Sequence, residues 1–272
     1  MTLTVGSLFS GIGGLDLGLE RAGMEVIWQS EIDPYACKVL SKHWPKVPNY
    51  GDIKKIDWAN IVRPDVLCGG YPCQPFSTAG KRKGEDDPRH LWPWVKEAIS
   101  KLRPKYAILE NVRGHLSLGG VSVIGELADI GYDTEWRVIS AASVGAHHRR
   151  DRIVIVAYPN NSRPYRAPIY STETRINALS GLRRCSTNVG NANRKGWQGG
   201  IELSETIAQR SRLDQSSESG RWSGIWEPEP DVGRVAHGVS HRVDRLRGLG
   251  NAVVPQVAEL IGRMVIDYDT NE

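Results

Sequence analysis

"TLTVGSLFSGIGGLDLGLERAG", residues 2–23, carries the reading on which the fold depends. "TLTVGSLF" reads as a strand, the glycines after it as a tight turn, and "LDLGLERAG" as a helix. The same rhythm continues along the chain. "MEVIWQSE" (24–31) reads as a strand and "PYACKVLSKHW" (34–44) as a helix. "DVLCGG" (65–70), "YAILENV" (106–112) and "RIVIVAY" (152–158) are short apolar strands, with helices at "WPWVKEAISKL" (92–102) and "VIGELADIG" (123–131) between them. The spacing of Val95, Ile99 and Leu102 supports a helix. Strand–helix alternation predicts an α/β fold with a parallel, doubly wound sheet over residues 1–157. A late helix, "VAELIGRMVIDY" (257–268), returns to it.

The glycine turn allows a ligand to approach the backbone closely. A dinucleotide fingerprint would need glycine at position 16, and Asp16 stands there, which weakens a pyrophosphate reading. Glu31 ends the second strand, where such folds place a carboxylate on ribose hydroxyls. Asp52, in "YGDI", ends a short, weak third strand and can accept from an adenine amino group. An adenosine-containing cofactor without phosphates fits these three features, and S-adenosylmethionine is one. Cys73 lies just past "DVLCGG" and Glu110 near the end of "YAILEN", so both are expected on the carboxyl rim of the sheet with the glycine turn and Glu31. Cys68 lies within its strand and reads as core.

Composition sets the outer limits. The four cysteines (37, 68, 73 and 185) form no C-x-x-C and do not read as a disulfide framework, which points to a reducing compartment. The N-terminus has no basic region ahead of an apolar run, and Asp16 follows, so no signal peptide is expected. No stretch approaches the roughly 18 apolar residues of a membrane span. The net charge of +4 is uneven: residues 158–226 hold ten Lys and Arg, nine of them Arg, against five Asp and Glu. Arginine suits bidentate contacts to phosphates and guanine edges. Residues 158–240 break the strand–helix rhythm and are rich in Ser, Asn, Arg and Gly. Trp197, Trp222 and Trp226 favour a small loop-rich domain over plain disorder.

The motifs "SLFSGIGGLDLG", "GGYPCQPFSTAG" (69–80), "ENVRG" (110–114), "HHRRDR" (147–152) and "LRGLGNAVVPQ" (246–256) occur in one order. In that order the chain resembles the DNA (cytosine-5)-methyltransferases, most of all the short enzymes of bacteria and their phages. The resemblance covers residues 5–157 and about 230–262. It implies a Rossmann-like S-adenosylmethionine-dependent sheet built from 1–157 plus 241–272, with 158–240 as the small target-recognition domain. It implies methyl transfer to C5 of a flipped cytosine in a short duplex sequence. Cys73 is then the thiolate that adds to C6, making the ring an enamine whose C5 attacks the methyl group. Glu110 corresponds to the carboxyl group at N3 and the 4-amino group. Arg150 and Arg152 correspond to the arginines on the base O2 and the nearby backbone, with Arg152 on O2. The base leaves the stack at a cost of about a few kcal/mol.

The cofactor set carries over in the same way. Phe9 lies against the adenine, and Gly11, Gly13 and Gly14 admit the ligand. Glu31 holds the ribose, Ile32 covers the adenine face, and Asp52 takes the adenine amino group. Ile53, Pro72, Leu91, Asn251 and Ala252 line the remainder. "STAGKRKGEDDPRH" (77–90) resembles the loop that closes on the flipped base, with Ser77, Lys81 and Arg89 toward phosphates. The implied partner is double-stranded DNA, with no membrane, a monomer acting alone, and room for a separate cognate restriction endonuclease. The implied setting is the cytoplasm of a bacterial cell or a phage-infected host.

The chain departs from the family pattern at three places. Ser7 stands where an Asp is common, Ile32 where an aromatic often follows the ribose acid, and His147-His148 where Pro-Gln usually precedes the arginines. Adjacent histidines are poorly placed to chelate one ion and no Cys–His spacing supports zinc, so no metal is expected. Two alternatives stand beside the leading reading. One is transfer RNA methylation, against which the chain lacks a Cys-Phe-Thr element. The other is an idle DNA-binding module, against which Cys73, Glu110 and Arg152 are intact.

Overall fold

The computed structural model of the protein describes residues 1–72, 91–117, 119–160 and 242–270. Six strands form one sheet: β1 (Thr4–Leu8), β2 (Glu25–Ser30), β3 (Val66–Gly69), β4 (Tyr106–Val112), β5 (Tyr132–Ile139) and β6 (Arg152–Pro159). Their order is β2-β1-β3-β4-β6-β5. The helices are α1 (Gly14–Ala22), α2 (Pro34–His43), α3 (Trp92–Leu102), α4 (Gly120–Asp129), α5 (Arg242–Asn251) and α6 (Pro255–Thr270). All described residues belong to one compact unit. The loop-rich segment expected at 158–240 lies, beyond Asn160, outside the described residues.

The sheet is mixed, which corrects the expectation of a parallel one. β1–β2, β1–β3 and β3–β4 pair in parallel, whereas β4–β6 and β5–β6 pair antiparallel. The cause is the link between β5 and β6. It carries only a 3-10 turn at Ala141–Val144, with no helix to bring the chain back across the sheet, so β6 returns directly alongside β5. The third strand expected to end at Asp52 is also absent. A single bridge, Gln29 with Asn49, takes its place. Pro45 and Pro48 interrupt the ladder donors, and Gly51 turns the chain with φ of 72° into a 3-10 turn at Ile53–Lys55.

Both faces of the sheet are covered, as the apolar runs of β3, β4 and β6 require. On one face Val5, Val66, Ile108 and Val156 pack with Leu19 of α1 and with Val257, Ile261 and Val265 of α6. On the other, Leu67, Ala107, Leu109 and Ile155 pack with Val95, Ile99 and Leu102 of α3 and Leu127 of α4. Cys68 is fully buried in the first cluster, and burial holds its thiol well above the ordinary range.

The α1–α6 contact is close because it runs over glycines. A Cβ at Gly18 would lie 2.3 Å from the carbonyl oxygen of Pro255, and one at Gly14 2.4 Å from that of Val253. Those atoms are backbone and cannot swing aside. Gly18→Ala therefore forces the helices apart and destabilises by about 1–3 kcal/mol. Gly125→Ala on α4 meets open space and stabilises by about 0.5–1 kcal/mol through helix propensity. Thermal melts of the two variants should move in opposite directions.

Candidate active site at the carboxyl edge of the sheet

The turn after β1 is held in an unusual backbone conformation. Phe9 has φ of 51°, Gly11 57° and Gly13 83°. Left-handed geometry suits the glycines, and at Phe9 it is a strained position for an L side chain. A Cβ at Gly13 would also meet the Trp44 ring at 2.4 Å. The Glu31 carboxylate ties this turn to the next element. One oxygen accepts from the Gly11 N–H at 2.8 Å, and the other from the N–H groups of Ile32 and Asp33 at 2.8 and 2.7 Å. Ile32 is exposed, Ile53 is buried, and Asp52 accepts from the Lys54 N–H while capping its 3-10 turn. Ser30 donates to the Gly51 carbonyl at 2.7 Å, which brings the Asp52 loop to the end of β2.

Gly14 closes the glycine turn. It is the buried first residue of α1, and its missing side chain admits the Val253 backbone. This brings the 252–254 link between α5 and α6 onto the start of α1. Asn251 is exposed and Ala252 half-buried on that link, Pro72 is exposed beyond β3, and Leu91 precedes α3 at its N-cap.

A second group gathers where β3, β4 and β6 meet. Glu110 on β4 is 8% exposed and pairs with Arg152 at the start of β6, Nε to Oε1 at 2.9 Å. Burial pushes its carboxyl group up to about 7, while Arg152 and Arg150 pull it back down. A Cβ at Gly70 would lie 2.9 Å from the other Glu110 oxygen. The carboxyl group therefore sits against the backbone three residues before Cys73. Cys73 itself, with Ser77, Lys81 and Arg89, lies outside the described residues. Arg150 acts on this pair through its charge but hydrogen-bonds elsewhere: its guanidinium donates to the carbonyls of Gly250 and Ala252, both at 2.6 Å.

Two features of the site escaped the sequence reading. The first is a buried network behind the glycine turn. Asp16 is fully buried and accepts from Ser7 Oγ at 3.0 Å and Gln29 Nε2 at 2.7 Å, with Ser10 bonded to Ser7 in turn. Burial raises the Asp16 carboxyl group to about 6 against the pull of those donors. Ser7, the departure from a common Asp, thus faces a carboxylate supplied from α1. The signal was available: Asp16 falls beside Leu15 and Leu19 on the buried side of α1.

The second feature is a tether on the residues before Cys73. Asn111 donates to the Tyr71 carbonyl at 3.1 Å, and a 2.7 Å hydrogen bond joins the Tyr71 hydroxyl to His115 Nε2, both groups buried. Burial lowers His115 to about 4, so the folded ring stays neutral where an unfolded histidine charges. Its contribution to stability is present above pH 6.5 and is lost as pH falls toward 4. His115→Gln keeps a polar partner for Tyr71 but no titration. Its melting temperature should fall less between pH 7 and pH 5 than that of the wild type.

Among the described residues no three His, Cys, Asp or Glu side chains gather to hold a metal ion, and no helix is long and apolar enough to cross a membrane. The donor set favours a neutral or cationic adenosine ligand. Glu31 and Asp52 present carboxylates beside the turn, and Asp16 lies behind it, where a pyrophosphate would be repelled.

A family model described as "C-5 cytosine-specific DNA methylase" matches residues 3–226. The chain belongs to that family. Over 161 residues it is 38% identical to the type II methyltransferase M.BsuFI of Bacillus subtilis, covering 57% of this chain and 39% of the relative. Over an alignment of 315 residues it is 30% identical to the type II methyltransferase M.NaeI of Lentzea aerocolonigenes, covering 97% of this chain and 75% of the relative. A solved structure described as a DNA modification methyltransferase encoded within a prophage of Escherichia coli superposes with a TM-score of 0.52 at 27% identity, over 61% of this chain and 49% of that one. The chain thus spans about two fifths of M.BsuFI and three quarters of M.NaeI. The mixed sheet is the α/β methyltransferase fold of this C-5 cytosine-specific family.

Proposed function

We propose that the chain transfers a methyl group from S-adenosylmethionine to C5 of cytosine in double-stranded DNA. The observation that carries this is the buried Glu110–Arg152 pair against Gly70, at the foot of the segment leading to Cys73. In this reading Cys73 bonds to C6 of a flipped cytosine. Glu110, half protonated near neutrality, holds the N3 and 4-amino edge and relieves the charge that develops there. Arg152 orients Glu110 and reaches the base O2. The bound cofactor supplies an electrophilic methyl group. Loss of the C5 proton and of Cys73 then restores the aromatic ring.

Glu31 serves the ribose and Asp52 the adenine amino group, with Phe9, Gly11, Gly13, Gly14, Ile32, Ile53, Pro72, Leu91, Asn251 and Ala252 around them. Residues 1–157 with 241–272 form the catalytic domain, and 158–240 recognise a short DNA site. The protein acts as a monomer in the cytoplasm of a bacterium or a phage-infected host, and any cognate endonuclease acts separately.

The test is transfer of labelled methyl from S-adenosylmethionine to mixed-sequence duplex DNA and, separately, to transfer RNA, with digestion to nucleosides. 5-Methylcytosine from DNA is the expected product. Label in RNA alone would overturn the substrate, and label in neither, from folded protein, would leave a DNA-binding module.

A further inference from the structure

Arg150 and Arg152 stand two residues apart, yet they serve different partners. Arg152 reaches Glu110. Arg150 lies just before β6 with φ of 40°, a left-handed conformation that an L residue keeps only where its surroundings fix it. Its side chain stays near enough to act on the Glu110 charge, but its hydrogen bonds go to the link between α5 and α6. There one nitrogen donates to the carbonyls of Gly250 and Ala252, each at 2.6 Å. The Gly250 carbonyl belongs to the last turn of α5, which offers it no intrahelical donor, and the Ala252 carbonyl follows just past the helix end, where a cation is favoured. Asn251 lies between the two carbonyls, and Val253, one residue beyond Ala252, packs its backbone on Gly14 at the start of α1. One turn earlier α5 is tied by an Arg247–Asp33 ion pair to the N-cap of α2, whose N–H is in turn held by Glu31.

We infer that Arg150 is a positioning residue for the cofactor pocket, holding Asn251 and Ala252 against the glycine turn, and is not a DNA phosphate contact. The inference rests on the proposed function, which places Asn251 and Ala252 in that pocket. It gives the segment 149–152 two tasks. Through Arg152 it serves the catalytic carboxyl group, and through Arg150 it sets the cofactor wall. Asp151 steadies the segment from the outside with Arg149 at 3.2 Å and Arg113 at 3.4 Å.

Cofactor affinity without DNA separates the two roles. S-adenosylmethionine is titrated calorimetrically into the full-length wild type, Arg150→Gln and Arg150→Lys, and each protein's affinity for a mixed-sequence duplex is measured across a salt series. Losing charge-assisted bonds to two carbonyls should raise the cofactor Kd about tenfold in Arg150→Gln. Lysine keeps the charge and a nitrogen that can donate to both carbonyls, but on a differently shaped stem, and should recover part of that loss. The salt dependence of DNA binding should stay at the wild-type slope. An unchanged cofactor Kd, with a salt slope lower by about one, would overturn the inference and return Arg150 to the phosphates. If thermal melts show Arg150→Gln unfolded, Arg150→Lys decides: a raised cofactor Kd at unchanged salt slope supports the role, and an unchanged Kd overturns it. A wild type that gives no heat with the cofactor would overturn the proposed function, and this inference with it.

Discussion

Cys73→Ser abolishes methyl transfer while leaving cofactor and DNA binding intact. The argument is chemical. A cysteine is a few per cent thiolate at neutral pH and an exceptionally good nucleophile, whereas a serine hydroxyl needs an adjacent base to become one. Glu110, the titratable group that the structure places against Gly70, is paired with Arg152 and in this reading is committed to the N3 and 4-amino edge of the base, so it is not free for that task. Cytosine C5 attacks a methyl group only after C6 has been loaded, so nothing downstream compensates. The loss should be on the order of 10³-fold or more in kcat. Calorimetry with S-adenosylmethionine and a gel-shift with duplex DNA check that the pocket and the DNA face survive. A variant that methylates near the wild-type rate would remove Cys73 from the nucleophile's role.

The sequence was readable where a local pattern carried the information. The strand, glycine turn and helix at 2–23 were legible because the apolar runs and the left-handed glycines are short-range signals. β5 was not read at all. Its Asp133, Glu135 and Arg137 alternate with Tyr132, Thr134 and Trp136, the pattern of a half-exposed edge strand, and it passed for a connection. The direction of β6 left no trace in "RIVIVAY", because a strand buried on both faces reads the same whichever way it runs. The helix α5 was also missed: it is largely polar, contains Gly248 and Gly250, and exposes Val243, Leu246 and Leu249. Chain order was enough to bring Glu110 to the carboxyl edge beside Gly70. It could not show Tyr71 bonded to His115, or Arg150 to Gly250, since both bonds join segments far apart in sequence and depend on packing.

Glu110→Gln tests the other half of the chemistry, and here activity and stability should part. The glutamine amide can occupy the same space, but it holds no titrating proton. Losing a positioned acid–base group should lower kcat by about 10²–10⁴-fold. The wild-type profile should show an alkaline limb near pH 7, because burial places the Glu110 carboxyl group there and its protonated fraction falls as pH rises through that value. In Glu110→Gln that limb should vanish from whatever rate remains. Stability moves the other way. A carboxyl group whose folded pKa is raised favours the folded state below its ordinary value of 4.5 and gives up that contribution as pH rises through about 7. Replacing it removes this loss, so the melting temperature of the variant relative to wild type should climb between pH 5 and pH 8. Arg152, left without its carboxylate, sets a constant penalty that does not bend with pH over this range. An alkaline limb retained in the variant would assign that titration to another group. A melting difference flat with pH would show that Glu110 is not held near 7 by burial. Together the two slopes separate a carboxyl group strained for chemistry from one that only anchors an arginine.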